Sequence, residues 1–160
     1  FSRDLRLNVY EHRACPLLAE CVDAVRAAAG VRGVTLRLEC AADPTAVLDK
    51  LKVKQVVVNL LINSVQAVEA QGTGTREIYI GTSLTESGAL AFTLRDTGPG
   101  ISPDDLDRIF EGFFTTKEAG MGIGLAICQS IISEHGGVIA ASNHPDGGAQ
   151  FRFEIPVETP

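Results

Sequence analysis

The chain has 160 residues, of which 45% are hydrophobic, and its formal net charge is −6. This size and composition suit one domain with one buried core. Acidic and basic residues are mixed without the basic stripe of a nucleic-acid-binding domain, and no apolar run is long enough to span a bilayer. We therefore expect this domain to contact neither nucleic acid nor membrane, and any anionic ligand to be held by local geometry and a metal ion.

The first half of the chain predicts helices and strands in alternation. Apolar periodicity predicts a helix over residues 16–29, with a proline at its start and Gly30 as its stop. Alternating apolar residues predict a strand over residues 34–40 and a short one over residues 46–49. A long helical pattern follows over residues 50–70.

The second half predicts two hairpins separated by a glycine-rich region and a helix. Four strands are predicted, over residues 77–84, 89–95, 138–142 and 149–156. A short helix over residues 103–109 has Ser102 as its N-cap, and a longer one over residues 123–135 stops at Gly136. Together these elements predict a two-layer α/β sandwich, with a mixed, mainly antiparallel sheet and helices on one face.

The four cysteines give no sign of a metal site. Cys15, Cys21, Cys40 and Cys128 form no CxxC pair, and no histidine lies near them at metal-ligand spacing. We expect four free thiols in a reducing cytosol, with Cys128 packed as a small hydrophobic residue.

The helix over residues 50–70 carries one narrow polar stripe on an otherwise apolar surface. At 100° per residue the stripe contains Lys52, Gln55, Asn59, Asn63 and Gln66. Asparagine is a poor helix former, so two of them one turn apart need another reason. The amide oxygen is a hard ligand suited to Mg²⁺, an ion that bridges phosphates. A solvated polar edge is the alternative.

Three further segments suit a nucleotide. Asp96-Thr-Gly-Pro-Gly-Ile101 follows a predicted strand, and its carboxylate can accept a hydrogen bond from the exocyclic amine of adenine, although an ordinary turn is also possible. In Gly120-Met-Gly-Ile-Gly-Leu125, glycines at a helix start let backbone N–H groups approach phosphate. Between them, Phe110-Glu-Gly-Phe-Phe-Thr-Thr-Lys117 offers aromatic anchors and phosphate donors.

These four segments, in this order, resemble the N, G1, F and G2 boxes of bacterial sensor histidine kinases, within the wider family that shares the Bergerat ATP-binding fold. The resemblance covers about residues 16–156. The short stretch between the F and G2 boxes resembles the nitrogen-regulation and oxygen-sensing kinases. The resemblance implies that residues 16–160 form an ATP-binding catalytic domain and that residues 1–15 are a residual linker from a preceding dimerisation hairpin.

The resemblance also implies a role for individual residues. Asn63 would ligate Mg²⁺, Asn59 would support the phosphates or the waters of the metal, and Asp96 would bind the adenine amine. Lys117 would contact the γ-phosphate and, with Asn59, act in catalysis. The other implied nucleotide contacts are Gly98, Gly100, Ile101, Phe114, Thr115, Thr116, Gly120, Met121, Gly122, Gly124 and Leu125.

The sequence departs from the family pattern at several positions. Gly112 stands where a proline is usual, and Gln150 stands where a threonine near the adenine is common. Related ATPases of this fold place a water-activating glutamate one helical turn before the metal asparagine, where this chain has Asn59. An amide is no general base at neutral pH, so we expect negligible ATP hydrolysis and transfer only to a protein side chain.

The phosphoacceptor is not among the residues of this chain. His12, His135 and His144 lack the helical hairpin and following acidic residue that surround a kinase phosphoacceptor. The resemblance therefore implies transfer to a histidine on a separate dimerisation domain of a homodimeric parent, with a response regulator downstream. It implies a cytoplasmic domain, in a parent that is free or anchored to the inner membrane. The alternatives are a nucleotide-sensing pseudokinase module and an anti-sigma-factor-type serine kinase, and the FxxFFTTK segment argues against the latter.

Overall fold

The computed structural model describes residues 7–31, 33–41, 43–71, 74–111 and 122–156. The described strands are β1 (Tyr10–Arg13), β2 (Thr35–Cys40), β3 (Thr45–Leu48), β4 (Glu77–Leu84), β5 (Ala89–Asp96), β6 (Val138–Asn143) and β7 (Ala149–Pro156). The described helices are α1 (Ala14–Val31), α2 (Lys50–Gln71), α3 (Pro103–Leu106) and α4 (Gly122–Glu134).

Within these residues, five strands form one sheet in the order β2-β4-β5-β7-β6. The β2–β4 pair is parallel, and the other three neighbouring pairs are antiparallel. Helix α2 packs between α1 and α4, and the three helices contact one face of the sheet. The predicted two-layer α/β sandwich with a mainly antiparallel sheet is confirmed.

The core follows from the alternation of apolar residues along the strands. In β7, Phe151, Phe153 and Ile155 are buried, while the residues between them lie on the opposite, partly exposed face of the sheet. Phe153 stacks on Phe92 of β5 with ring centroids 4.6 Å apart, which joins the two central strands. The buried side chains of α2 cover this face.

Two boundaries of α1 differ from the prediction. The helix begins at Ala14, not residue 16, because its first N–H groups find acceptors on a distant segment: Cys15 N donates to Asp43 Oδ1 at 2.8 Å. It also continues through Gly30, and Gly33 (φ 72°) makes the left-handed turn that ends it, with Val34 N bonded to Ala29 O at 2.8 Å.

Strand β1 lies before α1 and belongs to the folded domain, which the sequence did not predict. Strand β1 pairs antiparallel with β3 to form a two-stranded sheet. Asn8 N donates to Asp49 Oδ2 at 3.0 Å, so the chain is attached to the domain before β1 begins. Residues 8–13 therefore pack as part of the folded unit.

The expectation of four free thiols is wrong for two cysteines. The structure joins Cys15, in the first turn of α1, to Cys40, the last residue of β2, by a disulfide. The two positions are 25 residues apart, so their proximity depends on how α1 packs beside β2 and has no local sequence signal. Cys21 and Cys128 are free and buried, as expected.

Asp49 connects three segments at the start of α2. Its carboxylate caps the helix by accepting from Lys52 N at 3.1 Å and also accepts from Asn8 N, while its own N–H donates to His135 Nε2 at 3.0 Å. Burial opposes ionisation, but the two backbone hydrogen bonds and the Lys52 ammonium outweigh it, so the pKa lies below the ordinary value of 3.8.

Replacing Asp49 by alanine is expected to lower the free energy of unfolding by about 1–2 kcal/mol at neutral pH, through loss of the helix cap. Because folding lowers the pKa of this carboxyl, its charge stabilises the fold above the unfolded value of 3.8 and loses that effect as pH falls through the folded value. Urea unfolding at about pH 7 and about pH 3 should therefore show a smaller difference between wild type and variant in acid. Asp23→Ala, on the exposed face of α1, is the control and should change little.

Candidate functional site

The polar stripe of α2 is largely covered by the rest of the domain. Asn63 is only 8% exposed, and Asn59 is half-buried. Gln66 Oε1 is buried and has no hydrogen-bond partner within the described part of the chain. A solvated polar edge does not describe this face, since buried carboxamides require polar partners.

Asp96 lies at the end of β5 in the centre of the sheet and is 1% exposed. Its Oδ1 accepts from Gly98 N at 2.8 Å and from Ala149 N at 3.1 Å. Both N–H groups donate to the same buried oxygen, which satisfies its hydrogen bonding away from water and fixes the orientation of the side chain. The turn after β5 and the start of β7 are thus joined at Asp96.

The turn after Asp96 packs directly on α2. A Cβ at Gly98 would lie 3.1 Å from the carbonyl oxygen of Ala67, which is one helical turn beyond Asn63. Gly100 has φ 85°, a conformation that favours glycine. These contacts bring the Asp96 turn against the C-terminal half of α2, beside Asn63.

Asn143, at the end of β6, fixes the other side of the same turn. Its Oδ1 accepts from Ile101 N at 2.8 Å, and its Nδ2 donates to Ile101 O at 2.7 Å. A Cβ at Gly100 would lie 2.9 Å from Asn143 Oδ1, which gives a second reason for glycine there. Sequence reasoning missed Asn143, since its only signal is a polar residue at the end of a strand.

Gln150 of β7 lies on the face of the sheet that points away from the Asp96 side chain. Ala149, not Gln150, is the β7 residue beside Asp96, because the side chains of a strand alternate between faces. Gln150 lines a cleft with Tyr79 and Arg95 on the other face of the sheet. The side chain of Gln150 therefore lies on the opposite face of the sheet from that of Asp96.

Gly148 is a second residue that sequence reasoning missed. Its φ is 88°, and a Cβ there would overlap the backbone oxygen of Asp96. Gly147 also has a positive φ, 103°, yet a Cβ there would meet nothing within 4 Å. The absence of a side chain at Gly148 thus lets β7 approach Asp96.

Replacing Gly148 by alanine is expected to destabilise the domain by at least about 2 kcal/mol more than Gly147→Ala, because only the first adds a backbone clash to the shared cost of positive φ. Urea unfolding of the two variants measures the difference. Equal loss of stability would contradict a close approach of β7 to Asp96.

Helix α4 begins at Gly122 and runs alongside α2 at Asn59. A Cβ at Gly124 would lie 3.7 Å from Asn59 Nδ2, and the same nitrogen is 4.0 Å from Cys128 Sγ. Leu125 is buried in the core, so any contact it makes with a ligand involves its backbone. The N-terminal turn of α4 and its unpaired N–H groups therefore lie next to the polar stripe.

Part of the predicted site is outside the described residues. Phe110 is described and packs edge-to-face on Phe151 at 6.4 Å between centroids, as expected for an aromatic anchor. The predicted positions outside the described residues are Gly112, Phe114, Thr115, Thr116, Lys117, Gly120 and Met121.

Comparison with known proteins agrees with this geometry. Residues 48–159 match the model of the histidine kinase-, DNA gyrase B-, and HSP90-like ATPase family. The chain belongs to this family.

Its relatives within this ATPase family are sensor histidine kinases. The chain is 38% identical over 143 residues to sensor histidine kinase TmoS of Ectopseudomonas mendocina, covering 88% of this chain and 15% of TmoS. It is 39% identical over 131 residues to sensor protein FixL of Bradyrhizobium diazoefficiens, covering 80% of this chain and 26% of FixL. The chain thus spans about a quarter or less of these relatives.

Solved structures share the fold, among them the catalytic domain of a histidine kinase. The catalytic domain of histidine kinase ThkA superposes with a TM-score of 0.83 at 30% identity, covering 94% of this chain and 97% of that one. Full-length ShkA, solved in complex with AMPPNP, superposes with a TM-score of 0.84 at 29% identity, covering 97% of this chain and 32% of ShkA. The resemblance to the catalytic domains of sensor histidine kinases is confirmed.

The side chains of His135 and His144 form hydrogen bonds within the described part of the chain. His135 Nδ1 lies 2.9 Å from Ile131 O at the end of α4, and its Nε2 accepts from Asp49 N. His144 Nδ1 accepts from Asp146 N at 3.1 Å within a turn. His12 lies on β1. No described helix is both long and apolar enough to cross a bilayer.

Proposed function

We propose that this domain binds ATP with Mg²⁺ and donates the γ-phosphoryl group to a histidine on a separate dimerisation and phosphoacceptor domain of its parent. One observation carries the proposal: α2 contacts the Asp96 turn at Ala67 and the start of α4 at Asn59. A base-binding carboxylate and a phosphate-binding helix end therefore flank one polar helix face. The family of the chain and its likeness to ShkA, solved with AMPPNP, support an adenine nucleotide.

Asp96 selects the base in this proposal. An ionised carboxylate only accepts hydrogen bonds, so it suits the exocyclic amine of adenine and opposes the carbonyl that guanine carries at the same position. Its two backbone donors hold it in place before the ligand arrives, so little ordering is needed on binding. Gly98, Gly100 and Ile101 form the turn beside the base.

The metal is proposed for the polar stripe. The described residues contain no group of three or more histidine, cysteine, aspartate or glutamate side chains that could hold a cation. The donors available are amide oxygens, among them Asn63 and the unpartnered Gln66 Oε1, which suit Mg²⁺ only when phosphate oxygens supply the negative charge. Bound Mg²⁺ would neutralise charge on the transferring phosphoryl group.

The phosphates are proposed to lie at the start of α4. The backbone N–H groups of Gly122 and Gly124 lie in the first turn of α4, before the helix can supply acceptors for them, and carry the positive end of the helix dipole. Leu125 follows them. Asn59, across from Gly124, supports the phosphates or the waters of the metal. The proposed lid contacts are Phe114, Thr115, Thr116, Lys117, Gly120 and Met121, with Lys117 at the γ-phosphate.

The acceptor and the wider assembly complete the proposal. The parent is a cytoplasmic or inner-membrane-anchored homodimer, with a response regulator as the next phosphoacceptor. Residues 1–15 connect this domain to the dimerisation hairpin, and residues 8–13 of that connection pack on the domain. Asn59 replaces a water-activating acid, so hydrolysis competes little with transfer.

The deciding experiment mixes this chain with the separately produced histidine-bearing hairpin of its parent and ATP labelled at the γ-phosphate. Label on histidine supports the proposal, and label on serine supports an anti-sigma-factor-type kinase. Calorimetric ATP binding without any transfer indicates a nucleotide-sensing module, and absence of ATP binding overturns all three. Phosphate release from the chain alone should stay at background, and rapid release would contradict the role given to Asn59.

A further inference from the structure

The disulfide between Cys15 and Cys40 occupies an accessible position at the edge of the domain. Cys40 ends the edge strand β2 and is exposed, and Cys15 is half-buried at the start of α1. Their Cα atoms are 6.2 Å apart, within the usual range for a bonded pair. Small oxidants and reductants can therefore reach this pair.

The other two cysteines provide an internal contrast. Cys21 and Cys128 are fully buried, and burial raises the pKa of each thiol to about 11. Because the thiolate is the reactive form, these two stay inert under conditions that oxidise an accessible pair. Redox chemistry in the described part of the chain is thus confined to Cys15 and Cys40.

The contacts around the pair do not depend on the bond between the sulfurs. Cys15 N donates to Asp43 Oδ1, and Ala14 N donates to Pro44 O at 3.1 Å, and neither hydrogen bond uses a sulfur atom. Leu17 and Leu18 anchor the same turn in the core. The start of α1 is therefore also held by contacts other than the disulfide.

We propose that Cys15 and Cys40 are a reversible redox-modification site, oxidised to a disulfide by a small-molecule disulfide such as oxidised glutathione. One cysteine thiolate attacks the glutathione disulfide and releases one glutathione, and the second thiolate then displaces the other. Two cysteine thiols and one oxidised glutathione yield one protein disulfide and two reduced glutathiones. This proposal rests on the proposed function, which places the domain in the reducing cytosol. A disulfide in that compartment is transient and forms in response to an oxidant.

The bond acts where the chain enters the domain. Strand β1 runs directly into α1, and it belongs to a two-stranded sheet with little stability of its own. Oxidation ties the first turn of α1 to the edge of the five-stranded sheet, close to Thr82 Oγ1, which is 3.8 Å from Cys15 Sγ. The oxidised domain therefore holds its entry segment more firmly than the reduced domain does.

The experiment equilibrates the 160-residue chain with reduced and oxidised glutathione at several ratios, alkylates free thiols after unfolding, and maps them by mass spectrometry. Oxidation should protect Cys15 and Cys40 together while Cys21 and Cys128 remain alkylated. The oxidised form should have a melting midpoint higher by about 5–10 °C. Hydrogen exchange of the β1 amides should slow about tenfold.

Single variants provide the controls. Cys15→Ser and Cys40→Ser should each abolish the rise in melting midpoint and the slower hydrogen exchange of β1. Cys128→Ala should keep both effects. Alkylation of all four cysteines at every ratio, or a mixed disulfide with glutathione as the end product, would overturn the proposal. No step of this experiment requires ATP binding. Failure of the redox proposal is therefore distinguishable from failure of the proposed function.

Discussion

Asp96→Asn is expected to lower the affinity for ATP about 10- to 100-fold, the range for losing a buried hydrogen bond to a charged group. Asparagine keeps the size of the side chain and one oxygen, so it can still accept from Gly98 N and Ala149 N and preserve the turn. The amide nitrogen of asparagine, however, is a hydrogen-bond donor and faces the exocyclic amine of adenine, which is also a donor. The turn should therefore survive while base recognition fails.

Titration calorimetry with ATP and with inosine triphosphate tests this prediction. Inosine has a carbonyl in place of the exocyclic amine, so wild type should strongly prefer ATP, and Asp96→Asn should narrow or reverse that preference. Asp23→Asn, on the exposed face of α1, is the control and should match wild type. An unchanged preference in Asp96→Asn would place the base elsewhere.

Asn63→Ala is expected to reduce phosphoryl transfer to the supplied histidine domain by about 100-fold or more, because positioning of Mg²⁺ and phosphate provides most of the catalysis in such reactions. Asn63→Asp retains an oxygen ligand and should recover a large part of the activity. Affinity for ADP measured without Mg²⁺ should change little in either variant, since the base site is separate.

Transfer rates over a range of Mg²⁺ concentrations separate a metal ligand from a structural residue. A metal ligand predicts that Asn63→Ala needs more Mg²⁺ for half-maximal rate, while a purely structural loss lowers the rate at every concentration. Gln129→Ala, which removes an exposed carboxamide of α4 outside the polar stripe, is the matched control. Melting curves of each variant exclude unfolding as the cause, and an unaltered Mg²⁺ requirement would contradict the metal assignment.

Local patterns were sufficient to predict most of the architecture. Strand β4 matches its predicted bounds, because alternation over eight residues records which face is buried. Helix α2 matches to within one residue, and Asn59 of its polar stripe lies beside the start of α4. These signals lie within one element, where spacing alone determines which side chains share a face.

The features that were missed depend on residues far apart in the sequence. The cap of α1 comes from Asp43, the brace of the Asp96 turn comes from Asn143, and the partner of Cys15 is Cys40. In each case one residue alone has many possible partners, and only the packing of whole elements selects one. Whether Gln150 or Ala149 faces Asp96 depends on the strand register, because a shift of one position along a strand exchanges the two faces of the sheet.

The parallel pairing of β2 with β4 has a consequence for the order of folding. Strands β4 and β5 are joined by a short turn and can pair locally. Strands β2 and β4 are separated in the sequence by β3 and the whole of α2, so the pairing of Thr35 with Glu77 closes a long loop. Closing that long loop costs entropy that only a docked α2 can offset. The edge strand β2 is therefore expected to join the sheet last, and Cys40 reaches Cys15 only in a nearly native chain.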